Sequence, residues 1–154
     1  MRRILIASDH AGFHLKEKLK FYLEKKLAFK VKDLGVYSDA RCDYPRFAYS
    51  LAKEISKARF RRGILVCKSG IGNSIVANRL AGVRAALCYN VKAARLSREH
   101  NDSNVLVLGS AFVSERKALS ILRIWLRTQF LGGRHRRRLN QIKEIEKEIG
   151  RQKN

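Results

Sequence analysis

Hydrophobic positions fall into five short, nearly continuous runs, separated by stretches where they recur at helical spacing. The runs are Ile4 to Ser8, Phe29 to Leu34, Gly63 to Cys67, Val83 to Leu87 and Val105 to Leu108. Unbroken apolarity over so short a run marks a strand covered on both faces. Between the runs, Leu15, Leu19, Tyr22 and Leu23 share one helical face. Ala118, Ile121, Leu122, Trp125 and Leu126 share another, at i, i+3, i+4, i+7 and i+8. Alternating strands and helices predict a parallel sheet with helices on both faces and right-handed crossovers. Pro45, the one proline, stands at the expected start of a helix, where its missing N–H costs nothing.

The pattern breaks at Leu131-Gly132-Gly133. A basic segment, Arg134 to Arg138, leads into a charged helix with Leu139, Ile142, Ile145 and Ile149 on one side. That stripe follows a completed α/β unit, so it is expected to pack on another subunit or across the same domain. The expected organisation is one domain over residues 1–149, with 131–149 as a C-terminal helical extension and 150–154 as a frayed tail.

Composition narrows the class. A chain of 154 residues is the size of one domain and can form a core without disulfides. Hydrophobic residues make up 45%, which argues against disorder. No apolar run approaches the roughly 20 residues of a membrane span. The apolar start ends at Asp9-His10, too soon for an export signal. A cytoplasmic location is expected. Cys42, Cys67 and Cys88 are odd in number and lack CxxC spacing, so neither a disulfide framework nor a zinc site is expected. Cys88 reads as a small buried hydrophobe.

The net charge of +21 predicts attraction to polyanions. Yet basic and apolar residues alternate at helical spacing, as in Leu15 to Lys20, so most of the charge reads as solvated helix faces. A nucleic-acid partner is not expected, because aromatic residues are not interleaved with the basic run as base stacking requires.

Four constellations carry candidate chemistry, beginning with the strand ends where open α/β sheets bind ligands. The first run ends in Ser8-Asp9-His10-Ala11-Gly12, where Asp9 either caps a helix or meets a hydroxyl or phosphate. The third ends in Cys67-Lys68-Ser69-Gly70-Ile71-Gly72-Asn73-Ser74, a turn whose backbone N–H groups can converge on an anion. It is neither a Walker loop nor a dinucleotide GxGxxG. A thiol near a helix N-terminus is expected to have its pKa lowered from about 8.5. The run Arg98 to Asn104 precedes a buried strand and contains His100, a candidate acid–base group. Arg134 and Arg138 share one face of a helix and suit bidentate phosphate binding. Five basic residues in a row are also a common solvated charge run.

With Asp43-Tyr44-Pro45, Asn78, Leu96-Ser97-Arg98 and Gly132-Gly133-Arg134-His135, these pieces resemble the ribose-5-phosphate isomerase B family, related to the galactose-6-phosphate isomerase subunits. The resemblance spans nearly the whole chain. It implies a Rossmann-like three-layer α/β/α sandwich with a five-stranded parallel sheet. It also implies a homodimer, often paired into a tetramer, with active sites built from both subunits and no metal or cofactor. The implied reaction interconverts ribose 5-phosphate and ribulose 5-phosphate in the pentose phosphate pathway. Cys67 would shuttle the proton between C1 and C2, while Ser69 and His100 help open the furanose ring. Asp9, counted with the catalytic group, would contact sugar hydroxyls together with Tyr44 and Asn101. Backbone amides of the 68–73 turn, including Gly70, Ile71, Gly72 and Asn73, would hold the enediolate oxygen. His10, Arg134 and Arg138 would hold the phosphate.

Two positions depart from the family pattern. Lys68 stands where glycine is usual, beside the thiol, and either lowers the thiol pKa or points into solvent. Ala111 stands where an arginine is common. Isomerisation of a six-carbon sugar phosphate (allose or galactose 6-phosphate) and non-catalytic sugar-phosphate binding are therefore alternatives.

Overall fold

The computed structural model describes residues 2–152. Strands β1 (Arg3–Ser8), β2 (Lys30–Asp33), β3 (Gly63–Cys67), β4 (Ala85–Leu87) and β5 (Val105–Gly109) form one sheet in the order β2-β1-β3-β5-β4. All neighbouring pairs are parallel, as the alternation predicts. Helices α1 (Phe13–Leu27), α2 (Tyr44–Ser56), α3 (Ile71–Ala77), α4 (Val91–Glu99) and α5 (Glu115–Arg127) connect and follow the strands. Helix α6 (Arg134–Arg151) is the extension and runs beyond 149, so residues 150 and 151 are helical. Gln152 follows in a turn, and Lys153 and Asn154, the end of the expected tail, lie outside the described residues.

Side-chain alternation in the strands creates two cores. Ile4, Ile6, Ile64, Val66, Leu106 and Leu108 meet α1, α4 and α5 on one face. Leu5, Ala7, Leu65, Val105 and Val107 meet α2 and α3 on the other. Each large aliphatic side chain buried this way contributes about 1.5–3 kcal/mol. Exposed ion pairs contribute about 0–1 kcal/mol, so the sandwich is held by its two apolar layers. Strand β4 is shorter than its apolar run because Val83 donates to Leu80 and Arg84 to the Asn104 side chain. Its outer edge is covered by Asn78, which exchanges two bonds with Ala85 at 2.8 and 2.9 Å.

Two basic residues depart from the expected solvated faces, Lys16 in α1 and Arg98 in α4. Lys16 is fully buried in α1, and its ammonium donates to Asp33 at 2.6 Å and to Glu17 at 2.8 Å. Lys20 reaches the same Asp33 oxygen at 3.0 Å, and the Gly35 N–H donates to the other at 2.9 Å. Burial alone would raise the Asp33 pKa, but the bonds from Lys16, Gly35 and Lys20 together outweigh it and hold it low. The group ties α1 to the end of β2. It also seats residues 33–36 beside Ser8, whose N–H donates to the Gly35 carbonyl at 2.7 Å.

The crossovers from β1 and β3 leave in opposite directions, through α1 to β2 and through α3 to β4. That switch point opens a crevice outside the carboxyl ends of β1 and β3, the usual ligand position in such sheets. Among the described residues no helix is long and apolar enough to cross a membrane.

Asp33→Ala removes the buried partner of the Lys16 ammonium, leaving only the half-exposed Glu17, and is expected to lower unfolding free energy by about 3 kcal/mol, measurable by urea denaturation. Because the Asp33 pKa is depressed, its stabilisation is complete above the ordinary carboxylate range near pH 4 and fades as pH falls below it. The variant's stability should therefore fall less steeply with acid than the wild type's.

Candidate active site

Cys67 closes β3 at the crevice, 4% exposed, and its sulfur accepts the Gly70 N–H at 3.1 Å. The chain turns there because Gly70 adopts a left-handed φ of 82° before α3 begins. The Asn73 and Ser69 N–H groups also favour the thiolate. Burial is nevertheless the largest influence and pushes the thiol pKa up, with the nearby Asp9 carboxylate raising it further. This reverses the lowered pKa expected from sequence. A seven-residue helix and a few N–H donors do not offset the removal of water from the sulfur. Lys68 is exposed beside the turn and does not reverse that balance.

A cavity of about 420 Å³ opens against this turn, with Asp9, Tyr44, Cys67, Ser69 and Gly72 in its wall. Asp9 is 6% exposed, and its Oδ1 accepts the Gly12 N–H at 2.9 Å. The capping and site readings of Asp9 are thus compatible, since one oxygen fixes the turn into α1 while the residue borders the cavity. Tyr44, half-exposed at the first turn of α2, lies over Gly72 so closely that a Cβ there would come 2.6 Å from its hydroxyl. Pro45 follows Tyr44 at the helix start, where the sequence placed it. Ser69 Oγ accepts the Ile71 N–H at 3.2 Å, and the Ser69 carbonyl accepts the Tyr89 hydroxyl at 2.9 Å.

His10 stands beside the cavity rather than in its wall. Its Nδ1 lies 2.9 Å from the Cys42 carbonyl and 3.2 Å from the Cys42 amide, so it fastens the loop before α2. The Asn73 side chain is buried, and neither of its polar atoms has a partner among the described residues.

The remaining predicted residues gather elsewhere. His100 ends α4 and stacks on His135, with ring centroids 4.2 Å apart and planes inclined by 9°. Arg134 and Arg138 project from the first turns of α6, exposed and one turn apart, as their spacing predicts. Asn101 directly follows His100 and is exposed on the turn after α4. That turn is fixed by buried Arg98, which donates to the Ser103 carbonyl at 2.6 Å and pairs with Asp102 at 2.8 Å. Ser103 Oγ in turn accepts Trp125 Nε1 at 2.8 Å. Burial, then the charges of His100, Arg134 and Arg138, holds the His135 pKa below its ordinary value.

These residues lie at the amino edge of the sheet. Asn104, just before β5, accepts from Gly63 at the start of β3, whereas Cys67 is at the end of β3. Four strand steps separate the two edges, about 13 Å. Within one chain, Asp9, Tyr44, Cys67, Ser69, Gly70, Ile71, Gly72 and Asn73 come together, while His100, Asn101, Arg134 and Arg138 do not join them.

Two features are absent from the sequence reading. Ile75 borders the cavity with Lys68 and Ile71, and Ile71 and Ile75 are 51% and 54% exposed. An isoleucine pair four apart beyond a glycine turn is the available signal. The stacking of His135 on His100 is not readable because the two are distant in sequence.

A thiol and a carboxylate facing one small crevice, with a ring of backbone donors, define a site for moving protons on a small polar molecule. The model of the Ribose/Galactose Isomerase family matches residues 4–142, and the chain belongs to that family. Ribose-5-phosphate isomerase B of Escherichia coli is 41% identical over 146 residues, covering 95% of this chain and 97% of that one. The solved ribose-5-phosphate isomerase B of Clostridium thermocellum superposes with a TM-score of 0.92 at 44% identity, covering 96% of this chain and 99% of the other. The Mycoplasma genitalium enzyme, solved with bound ribulose-5-phosphate, gives 0.90 at 43% identity over 95% of this chain and 97% of its own.

Because the Cys67 pKa is raised, its alkylation by iodoacetamide in a Cys42→Ser, Cys88→Ser background should keep accelerating above pH 8.5, the ordinary thiol value of about 8.5. Lys68→Ala should leave that profile in place. A plateau below pH 8 would contradict the burial argument.

Proposed function

We propose that the chain is an aldose–ketose isomerase that interconverts ribose 5-phosphate and ribulose 5-phosphate, working as a cytoplasmic homodimer. The observation that carries the reading is the buried thiol at the switch point, set among the Gly70, Ser69 and Asn73 N–H groups and beside Asp9. Moving a proton between adjacent carbons needs one base that takes it from one and returns it to the other. Cys67 as thiolate removes the C2 proton of the open-chain aldose and delivers it to C1, while the O2 hydroxyl proton passes to O1. A raised pKa makes that thiolate a stronger base, though a scarcer one. Charge develops on the substrate oxygen as the enediolate forms, and the backbone N–H groups of the 68–73 turn are its preorganised donors. Asp9 and Tyr44 meet sugar hydroxyls from the cavity wall.

The ring-opening and phosphate-binding roles join Ser69 and His10 of this edge to residues at the other edge of the sheet. His100 with Ser69 opens the furanose, Asn101 meets a hydroxyl, and His10, Arg134 and Arg138 take the phosphate. A two-fold partner can bring its amino edge to this chain's carboxyl edge, and the same operation supplies the reciprocal site. The open stripe of Ile142, Ile145 and Ile149 on α6, 42%, 53% and 49% exposed, suits such an interface. Residues 1–149 then act as one domain, with the extension reaching toward the partner.

A coupled assay of ribulose 5-phosphate formation tests the reading. Cys67→Ala should lose about 10²–10⁴-fold in kcat. A wild type without turnover, or a mutant at full rate, would remove the proposed function. Cys67→Ala and His100→Ala chains, each inactive, should regain about a quarter of wild-type activity when refolded together, since half the mixed sites in a heterodimer are intact. Absence of recovery would place each site within a single chain.

A further inference from the structure

At the amino edge of the sheet, arginines from two distant parts of the chain surround one cavity. Arg2 and Arg3 enter β1, and Arg59, Arg61 and Arg62 lead into β3; with Phe60 they line a space of about 580 Å³. It lies at the opposite end of β3 from Cys67 and contains none of the residues assigned to isomerisation.

The guanidinium groups are placed by aromatic faces. Arg3 lies 4.5 Å from the centre of the Phe60 ring and Arg2 5.6 Å from that of Phe29. Arg62 lies 5.3 Å from Trp125 and donates to the Leu126 carbonyl at 2.7 Å. Stacking occupies the flat face of a guanidinium and leaves its N–H edge available. Glu54 pairs with Arg59 at 3.1 Å, and also with Lys32 at 3.7 Å. Among the described residues, Arg2, Arg3 and Arg61 have no carboxylate partner. The basin therefore sets five guanidiniums against one carboxylate.

The adjoining cavity differs. It shares Arg61 and Arg62 but adds Arg84 and Arg98, both paired with Asp102 at 3.1 and 2.8 Å. Burial, then the like charges of Arg98 and Arg2 set against Asp102, pulls the Arg62 pKa down to about 10. Asp102 offsets Arg98, whereas Arg2 has no carboxylate partner among the described residues, and an anion in the basin would offset its charge.

We propose that this basin is a second ligand site, one that takes a small anion carrying two or more phosphate groups. Two terminal phosphates bring about −3 to −4 of charge, close to the excess of five guanidiniums over one carboxylate. Planar guanidinium edges suit phosphate oxygens, two bonds at a time. Phosphate can come from a free polyphosphate or from a nucleic-acid backbone. The rings favour the free anion: Phe29 and Phe60 are 9% and 7% exposed and already carry arginines, so no face remains for a base.

Inorganic tripolyphosphate is titrated into the full chain, read by calorimetry and by the fluorescence of Trp125, the only tryptophan and the ring under Arg62. Expected is saturable binding, one per chain, equally tight in Cys67→Ala and weaker by about tenfold or more in Arg2→Ala/Arg61→Ala. Both substituted residues are exposed, and an unchanged thermal midpoint checks the fold. The charge-reversal variant Arg61→Glu should also lose binding, while both variants retain ribose 5-phosphate turnover. Absence of saturable binding, affinity unchanged in the double variant, or displacement of tripolyphosphate by ribose 5-phosphate would overturn the proposal. So would a single-stranded oligonucleotide that binds through Arg2 and Arg61 when tripolyphosphate does not. The turnover assay is read separately, so failure of the isomerase reading and failure of this site are distinct results.

Discussion

The carboxyl edge of the sheet depends on the backbone tie between the turn after β3 and the loop after β5. The Ser110 N–H donates to the Cys67 carbonyl at 2.8 Å, and the Ala111 N–H to the Lys68 carbonyl at 2.9 Å. The two segments lie so close that a Cβ on Gly109 would sit 2.3 Å from the Ser69 carbonyl oxygen. No side chain fits there. The turn is thereby fixed at residues 67–69, and the Gly70 N–H is aimed at the sulfur rather than at water. Preorganisation of this kind is what lets backbone dipoles act on developing charge without first being rearranged. The two positions that depart from the family pattern, Lys68 and Ala111, are partners in this tie through their backbones. Their side chains can change while the bond persists.

What was legible in the sequence follows from which physical effects are local. The strands were readable because burial on both faces demands continuous apolarity, and all five emerged near their expected places. The edges of β4 were not, because Asn78 and Asn104 satisfy its neighbouring backbone from outside the run. Asp9 could not be resolved between capping and chemistry, and the structure shows why: the residue is built to cap while still bordering the cavity. The thiol pKa was misjudged because a helix terminus is visible in sequence and the loss of solvent is not. Lys16 failed for a similar reason. Its helical spacing looks like a solvated face until β2 places Asp33 against it.

The division of the candidate site between two edges was implicit in the order of elements. In a parallel α/β unit, residues that follow a strand lie at one edge and residues that follow a helix lie at the other. Cys67 follows β3, and His100 follows α4. Within one chain they lie at opposite ends of the parallel strands. A function that needs both therefore sets a requirement on assembly, and the isoleucine stripe of α6 becomes meaningful in that light. Some of the stripe's length is already used at home, since Glu146 accepts the Gly82 N–H at 2.9 Å and Leu139 is 8% exposed. The helix is anchored to its own domain at these points and open between and beyond them.

Charge is the property that the sequence describes most loudly and locates least well. Excess positive charge is not distributed into one role. Lys16 is neutralised inside the fold, and Arg98 is spent on carbonyls and Asp102. Arg134 and Arg138 stand free on α6. The arginines near the starts of β1 and β3 form a basin only because parallel pairing sets Leu5 beside Gly63. Adjacent parallel strands bring their preceding loops together at the amino edge, as they bring their following loops together at the carboxyl edge. Two short basic segments some sixty positions apart thus become one surface, through the same register that places Asp9 beside Cys67. One strand pairing therefore builds both the thiol crevice and the arginine basin, and within one chain it separates them by the length of the sheet.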